Sequence, residues 1–434
     1  MKKLTLIILI VTIISTANLL AQETTLKDKA LSEFKNEHYD KAINLLEKAL
    51  EETKDDAEIY YYLGFFNHYR AYDSRPLNGY DFSYSERIFQ YLNKAIELNP
   101  NYGDAKYFYG AECSANAFNS MQDYNLKQLK YFYKLAFEKG AYPDWLIEFG
   151  ENMLNTCDTN AILFTGGNAD FDVCFYLQLQ QNFRTDITVI PIGNIDRPWY
   201  VKFLKQGLEG GVKKINLNLT DYQIFDIHPF KWDTTKIEIP VSASTLRKYN
   251  LEKDYKMFWR IEPDLFSSRK HSKIKNEKIR YRTYLSPQRA ILLQIIEDNF
   301  QNRPIYFSNI SNPSFFGGLD KYFKNCGLVS ELTPIKTEQT EFENDYRKIE
   351  KLLSSENFKK FATIKKTDIP RISRIVFTYH RTVLILANYY SSNKQKVNFD
   401  KLKEFYSKYL AIGFNENYEN IYQAEIEKMK NGSR

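Results

Sequence analysis

Small and apolar residues recur with the spacing of paired helices over the first third of the chain, and this rhythm restricts the fold more than any other feature. Ala30 and Phe34 lie one turn apart, His38-Tyr39-Asp40 fills a turn, and Ala42, Leu46 and Ala49 mark one face of a second helix. Residues three or four apart share a helix face, so these positions predict two helices that touch. A second unit opens at Ala57 with Tyr60, Leu63 and Gly64 and is interrupted from Tyr72 to Ser85. It resumes as Tyr91-Leu92-Asn93-Lys94-Ala95-Ile96-Glu97-Leu98-Asn99-Pro100. Pro100 stops that helix, because its ring cannot continue the hydrogen-bond ladder. A third unit reads Ala105-Lys106-Tyr107-Phe108-Tyr109-Gly110 and then Tyr131 through Ala136, lengthened by Asn116 to Asn125. Pro143-Asp144-Trp145 predicts a capping helix that runs to Leu154.

Helix-turn-helix units of ~34 residues with small residues at the helix contact characterise the tetratricopeptide repeat (TPR). Residues 24–154 resemble that family. The resemblance implies stacked hairpins with a concave surface suited to a peptide or protein segment. The two insertions predict either a contact surface or packing on a neighbouring domain.

Met1 to Gln22 opens with Lys2 and Lys3, runs mostly apolar from Leu4 through Ile14 and closes on Leu20-Ala21-Gln22. A basic start, an apolar core of roughly 7–15 residues and a small residue before the cut describe a secretory signal. Residues 1–21 are therefore expected to be removed and the protein to reside in the periplasm or another extracytoplasmic space. The apolar run is shorter than the ~20 residues of a spanning helix, and no later stretch reaches that length, so no transmembrane segment is expected after cleavage. A net charge of +6 over 434 residues, with lysines spread throughout, does not point to nucleic acid.

After residue 155 the period changes. Ala161-Ile162-Leu163-Phe164-Thr165 reads as a buried strand ending in Gly166-Gly167, followed by a helix from Phe171 to Gln181. Asp186 to Ile192 reads as a second buried strand, then a helix from Pro198 to Gln206. Strand, helix and strand at this pace predict a parallel βαβ unit. Ile237–Pro240 and Tyr255–Phe258 are weaker strand candidates. Ser286–Asn299 predicts an amphipathic helix, Arg303–Ser308 a third buried strand and Leu328–Pro334 an edge strand. The expected class is α/β plus all-α: N-terminal hairpins, a Rossmann-like three-layer domain at 155–340 with a mostly parallel sheet, and C-terminal helices at 341–434. In that last segment Ile372, Ile375, Val376, Tyr379, Val383 and Leu386 supply an apolar side at helical spacing.

In open α/β sheets ligands lie beyond the carboxyl ends of the strands. Gly166, Gly167, Asn168, Asp170 and Asp172 follow the first strand, Asn194, Asp196 and Arg197 the second, and Ser308, Asn309 and Ser311 the third. All of these but Arg197 and Ser311 are the candidate ligand-binding residues. Asp170 and Asp172 equally suit the first turn of a helix, where a carboxylate offsets the macrodipole, and that structural role is the favoured one. Neither GxGxxG at 166–172 nor GxxxxGK[ST] anywhere supplies a phosphate cradle, and no GxSxG elbow is present. Cys113, Cys157, Cys174 and Cys326 lack zinc spacing and read as small buried residues rather than a disulfide. The five histidines lack HExxH spacing; His228, before Pro229, is the only one that stands out. No catalytic residue, metal or cofactor is assigned. The basic run Arg269–Arg282 reads as a solvated stretch in preference to a surface for acidic lipid or glycan.

The string Asn160-Ala161-Ile162-Leu163-Phe164-Thr165-Gly166-Gly167-Asn168-Ala169-Asp170 resembles the soluble C-terminal part of certain bacterial membrane proteins of unknown function. Those proteins carry a multi-spanning domain similar to protein O-mannosyltransferases. The resemblance continues at Arg184-Thr185-Asp186-Ile187, Trp199-Tyr200, Arg303-Pro304-Ile305-Tyr306-Phe307 and Gly318-Leu319-Asp320-Lys321-Tyr322. It covers 155–340, broken at 210–280, and implies a soluble extracytoplasmic module without transferase activity. Asn168-Ala169-Asp170-Phe171-Asp172 departs from the family's Asn-Asp-Thr-like run, so the binding role of that loop is in question. The resulting expectation is an envelope scaffold that meets a protein or peptide partner through its hairpins. The alternative is a small-ligand binder or enzyme acting on an envelope sugar or nucleotide-sugar at the sheet rim.

Overall fold

The computed structural model describes residues 25–73, 79–264, 284–337, 343–364 and 373–410. The expected signal and the basic run Arg269–Arg282 lie outside them. The protein is mixed helix and sheet, and it divides into two compact units, Met1–Glu112 and Cys113–Arg434.

The first unit is built of helical hairpins: α1 (Leu26–Lys35), α2 (Tyr39–Glu52), α3 (Ala57–Asp73), α4 (Ser85–Leu98) and the start of α5 (Gly103–Gln122). Thr25 opens α1 with a capping box, its hydroxyl accepting from Asp28 N–H while the Asp28 carboxylate accepts from Thr25 N–H. Ala30, Ala42, Leu46 and Ala49 are buried with Ile59, Leu63 and Phe66, and Phe34 stacks on Phe66 at 4.1 Å. A Cβ at Gly64 would lie 2.6 Å from the Leu92 side chain, so α3 and α4 touch only because position 64 is glycine. The insertion after Tyr72 returns through Tyr80 and Ser85 to a buried carboxylate. Glu112, fully enclosed, accepts from the Tyr80 hydroxyl and from Ser85 Oγ at 2.5 Å, with His68 Nδ1 at 2.8 Å.

The second unit adds α6 (Leu126–Glu138), α7 (Asp144–Thr156), β1 (Ile162–Thr165), α8 (Asn168–Gln181), β2 (Thr188–Pro191) and α9 (Pro198–Gln206). A short α10 (Asp221–Phe225), β3 (Phe230–Lys231), β4 (Thr235–Ile239), α11 (Ala243–Lys248) and β5 (Met257–Ile261) follow. Then come β6 (Tyr284–Leu285), α12 (Pro287–Asn299), β7 (Ile305–Ser308), β8 (Phe323–Asn325), β9 (Val329–Leu332) and β10 (Glu343–Asn344). The six-stranded sheet has the order β10-β8-β9-β7-β1-β2.

β1 pairs in parallel with β2 and with β7, whereas β9 runs antiparallel to both β7 and β8. β10 pairs in parallel with β8, so the sheet is mixed, with β9 alone running against the other five strands. The cause is the short link from β8 to β9, turned at Gly327 (φ +101°), which permits only an antiparallel return. β9 is also interior, between β7 and β8, and not at the edge expected for Leu328–Pro334. At the amino end of the sheet the buried Arg303 guanidinium donates to the carbonyls of Asn160 and Ala161 and to Thr188 Oγ, each at 2.8 Å.

The C-terminal segment forms α13 (Tyr346–Leu352), α14 (Ser373–Ser392) and α15 (Lys396–Tyr409). Ile372 lies outside the described residues; the helical spacing of Ile375, Val376, Tyr379, Val383 and Leu386 corresponds to a buried face, with Tyr379 edge-on to Phe149 of α7. All four cysteines are buried and free. Among the described residues no helix is long and apolar enough to cross a membrane.

Candidate functional site

Because β2, β1 and β7 are mutually parallel, their carboxyl ends open on one edge of the sheet. The chain steps from β1 to β2 on one side and returns to β7 on the other, which makes the gap between β1 and β7 a switch point of the kind where α/β proteins take ligands. Gly166 and Gly167 follow β1, Asn168 is the first residue of α8, and Ser308 ends β7.

The chain fills this gap itself. The Asp170 carboxylate, 1% exposed, accepts from Gly166 N–H at 2.8 Å and Gly167 N–H at 2.9 Å. It takes the place that a bound anion occupies at other helix N-termini. Burial pushes the Asp170 carboxyl up, and the two glycine N–H groups oppose that shift. Across the gap, a Cβ on Gly166 would sit 3.0 Å from Ser311 Cα, so the loops after β1 and β7 are in contact. Ser311 Oγ is buried here with no hydrogen-bond partner among the described residues, and the Ser308 hydroxyl lies on the Asp170 carboxyl, where it also opposes the upward shift.

Asp172 does not share this edge. It is buried against α5 and α6, where it accepts from Ser114 Oγ at 2.7 Å and Tyr133 OH at 3.2 Å. Burial pushes its carboxyl up to about 7, with a further push from Asp170. Asn309 is a bracket rather than a free rim group. Its amide donates to Asn325 Oδ1 and Gly327 O and accepts from Ser330 Oγ. Asn194 is half-buried and Asp196 exposed in the loop after β2.

Beside the closed gap lies an open cleft of ≈ 1230 Å³. One wall is the hairpin β4–β5. Thr235 pairs with Ile261, Ile237 with Trp259 and Ile239 with Met257, while Lys236 faces Arg260 and Glu238 faces Phe258. Alternation along a strand sends successive side chains to opposite faces, so Met257, Trp259 and Ile261 are buried while Lys236 and Arg260 are exposed. Trp259 Nε1 donates to Gly317 O at 2.8 Å, which ties the wall to the loop after β7. The floor is braced by Arg289. Its guanidinium pairs with Asp264 at 2.6 Å and donates to Glu262 O at 3.0 Å. Gly317 (φ +56°) leaves room for it, since a Cβ there would meet Arg289 Nε at 2.9 Å. Gln288 joins the cleft to the sheet edge by donating to Ile192 O, just after β2, at 2.8 Å.

A third grouping brings ligand atoms of Cys326, Glu331 and Asp345 within 4.8 Å of one another. Its charge is already balanced: Lys248 lies 2.7 Å from Glu331, Lys324 3.8 Å from Asp345, and burial pushes the Cys326 thiol up to about 12. The cleft residues were not singled out from sequence because they come from strands and turns far apart in the chain. The signal available is the alternation Lys236-x-Glu238 and Phe258-x-Arg260, which overlaps the weak strand candidates Ile237–Pro240 and Tyr255–Phe258 and extends beyond each.

Residues 146–253 and 261–351 match the family described as TMEM260-associated domain 2, a family related to O-mannosyltransferase-like proteins. The match spans the whole six-stranded sheet, its carboxyl edge and the part of the cleft contributed by Lys236, Arg289, Lys321 and Lys336. Tyr255, Lys256, Phe258 and Arg260 fall between the matched segments. No curated protein matches the chain.

Proposed function

We propose that this chain is an exported, non-catalytic binding module of the cell envelope that takes a small ligand in the cleft beside its sheet. The observation that carries this reading is the cleft itself. At ≈ 1230 Å³ it exceeds the roughly 300–1,000 Å³ usual for ligand pockets, and it has walls held by Trp259 and Arg289. Read in finer terms, the second unit is a Rossmann-like sheet whose usual ligand gap is occupied by Asp170, so the site is displaced toward the β4–β5 hairpin. A thermal-shift screen of the full chain against envelope saccharides, sugar phosphates and nucleotide-sugars tests it. A concentration-dependent rise in Tm with at least one class supports the reading, and a flat response to every class overturns it.

The scaffold reading has its own support in the first unit. Tyr69 and Tyr72, 38% and 44% exposed, lie one turn apart at the end of α3, and exposed aromatics are enriched where proteins meet. With the hairpins read as TPR units, this end of α3 would face a protein or peptide partner. Recovery of the same envelope protein by the wild-type chain, lost with Tyr69→Ala and Tyr72→Ala together, supports that reading; undiminished recovery by the double variant removes it.

A further inference from the structure

We infer that the cleft beside β5 takes a saccharide bearing phosphate groups, an inference that rests on the cleft being the ligand site. Six cationic side chains line it, from Lys236, Lys256, Arg260, Arg289, Lys321 and Lys336, against the two carboxylates of Glu262 and Asp264. Arg289 is committed to Asp264 at 2.6 Å, Lys256 reaches Glu238 at 2.8 Å, and Arg260 makes only a looser, exposed approach to Glu262 at 3.5 Å. Lys236, Lys321 and Lys336 are exposed and have no carboxylate partner among the described residues.

The cations left free favour an anion, and their number favours one with more than a single charge. A guanidinium fork suits carboxylate and phosphate alike; Asp264 occupies that of Arg289, while Arg260 only approaches Glu262. The lysines are compact ammonium charges, which bind phosphate as point charges. A phosphate monoester carries about −1.5 to −2 at neutral pH, enough to engage more than one lysine at once. The cleft also presents ring surface. Phe258, half-buried, holds Lys236 Nζ 4.0 Å from its centroid, and Tyr255 and Phe315 are half-buried beside it. Aromatic faces next to cations fit a ligand with an apolar sugar face joined to a charged group, whereas a bare inorganic anion would leave the rings unused.

Calorimetric titration of the full chain with glucose 1-phosphate, inorganic pyrophosphate, glucuronate and maltose tests the assignment. Both phosphate compounds should bind, and less tightly as salt rises from about 0.02 to about 0.3 M. Lys321→Ala and Lys336→Ala should each weaken them about two- to fivefold. Phe258→Ala should weaken glucose 1-phosphate more than pyrophosphate, and retained pyrophosphate binding shows that the variant is folded. Glucuronate binding as tightly as glucose 1-phosphate, with pyrophosphate silent, overturns the choice of phosphate. Maltose binding that ignores the lysine variants overturns the choice of anion but leaves the cleft as a ligand site. Silence of all four probes sinks the inference, and the cleft reading falls with it only if the wider thermal-shift screen is also flat.

Discussion

The loop after β1 and the cleft beside β5 adjoin the same sheet, yet their charges are settled in opposite ways. After β1 the chain supplies both partners: Gly166 and Gly167 offer N–H groups, and Asp170, three residues on, fills them. Beside β5 the chain supplies cations and leaves Lys236, Lys321 and Lys336 without carboxylates among the described residues. A group that is satisfied locally contributes to stability. One left unsatisfied in a cleft contributes little to the fold, and function then becomes the better account of its presence. All four tryptophans, at 145, 199, 232 and 259, lie in the second unit, so their fluorescence follows the unit in which this contrast can be tested.

The largest effect is expected at the cleft wall. Trp259 is fully enclosed and its indole N–H is bonded to Gly317 O. Trp259→Ala should cost about 5 kcal/mol, from the emptied volume and the abandoned carbonyl together. Urea unfolding followed by the remaining tryptophans measures it. A loss below about 1 kcal/mol would show that the wall is not anchored there, and the cleft could no longer be treated as preformed.

Next in size is Asp172. Its carboxyl titrates near 7 in the folded chain and near 3.8 when exposed. Below pH 3.8 both states hold the proton and nothing is lost. Between 3.8 and 7 the unfolded chain releases its proton while the folded one keeps it, so stability falls as pH rises and levels off above 7. The fall amounts to roughly 4 kcal/mol at about 1.4 kcal/mol per pH unit. Asp172→Asn keeps an oxygen for Ser114 and Tyr133 and should flatten this decline in unfolding curves between pH 4 and 8. An unchanged slope would mean that Asp172 is ionised when folded, which would reopen its candidacy as a charged site residue.

Asp170→Ala should cost about 3 kcal/mol, because it strands two N–H groups and removes a helix cap. The sharper readout is rescue. If the gap after β1 is an anion site occupied by the chain's own carboxylate, added acetate should restore part of the loss in the alanine variant and do nothing to the wild type. Full stability without any anion would erase the contrast, since those N–H groups would then need no partner.

Legibility in the sequence follows the range over which each feature is settled. The hairpin positions Ala30, Ala42, Leu46, Ala49 and Leu63 are read directly, because small and apolar residues at helical spacing determine which face is buried within one or two turns. β1, β2 and β7 are equally plain, each a continuous apolar run whose residues are buried on both faces. α8 begins three residues earlier than the expected Phe171, since the cap is made by Asp170 reaching backward. The interior position of β9 could not be read, because it depends on which strand its neighbours choose. The candidate ligand residues share a place in sequence, at strand ends, but Asp172 turns away to Ser114 and Tyr133, 58 and 39 residues earlier. The cleft is harder still. Lys236, Arg260, Arg289, Lys321 and Lys336 each look like ordinary surface charge, and only the tertiary fold gathers them.

The smallest stability effect carries the most functional weight. If Lys321 and Lys336 were structural, replacing both with alanine would remove favourable contacts and lower stability. Neither has a carboxylate partner among the described residues, and each lies along a cleft lined by four other cations. Their removal relieves repulsion, so the double variant should be unchanged or more stable by about 0.3 kcal/mol in low salt, with the gain screened away as salt rises. The same variant should lose most of its affinity for pyrophosphate. Stability gained where binding is lost is the signature of a site held against the fold's own preference. A stability loss above about 1 kcal/mol would instead make these lysines part of the scaffold, and the two sides of the sheet edge would then differ in position rather than in purpose.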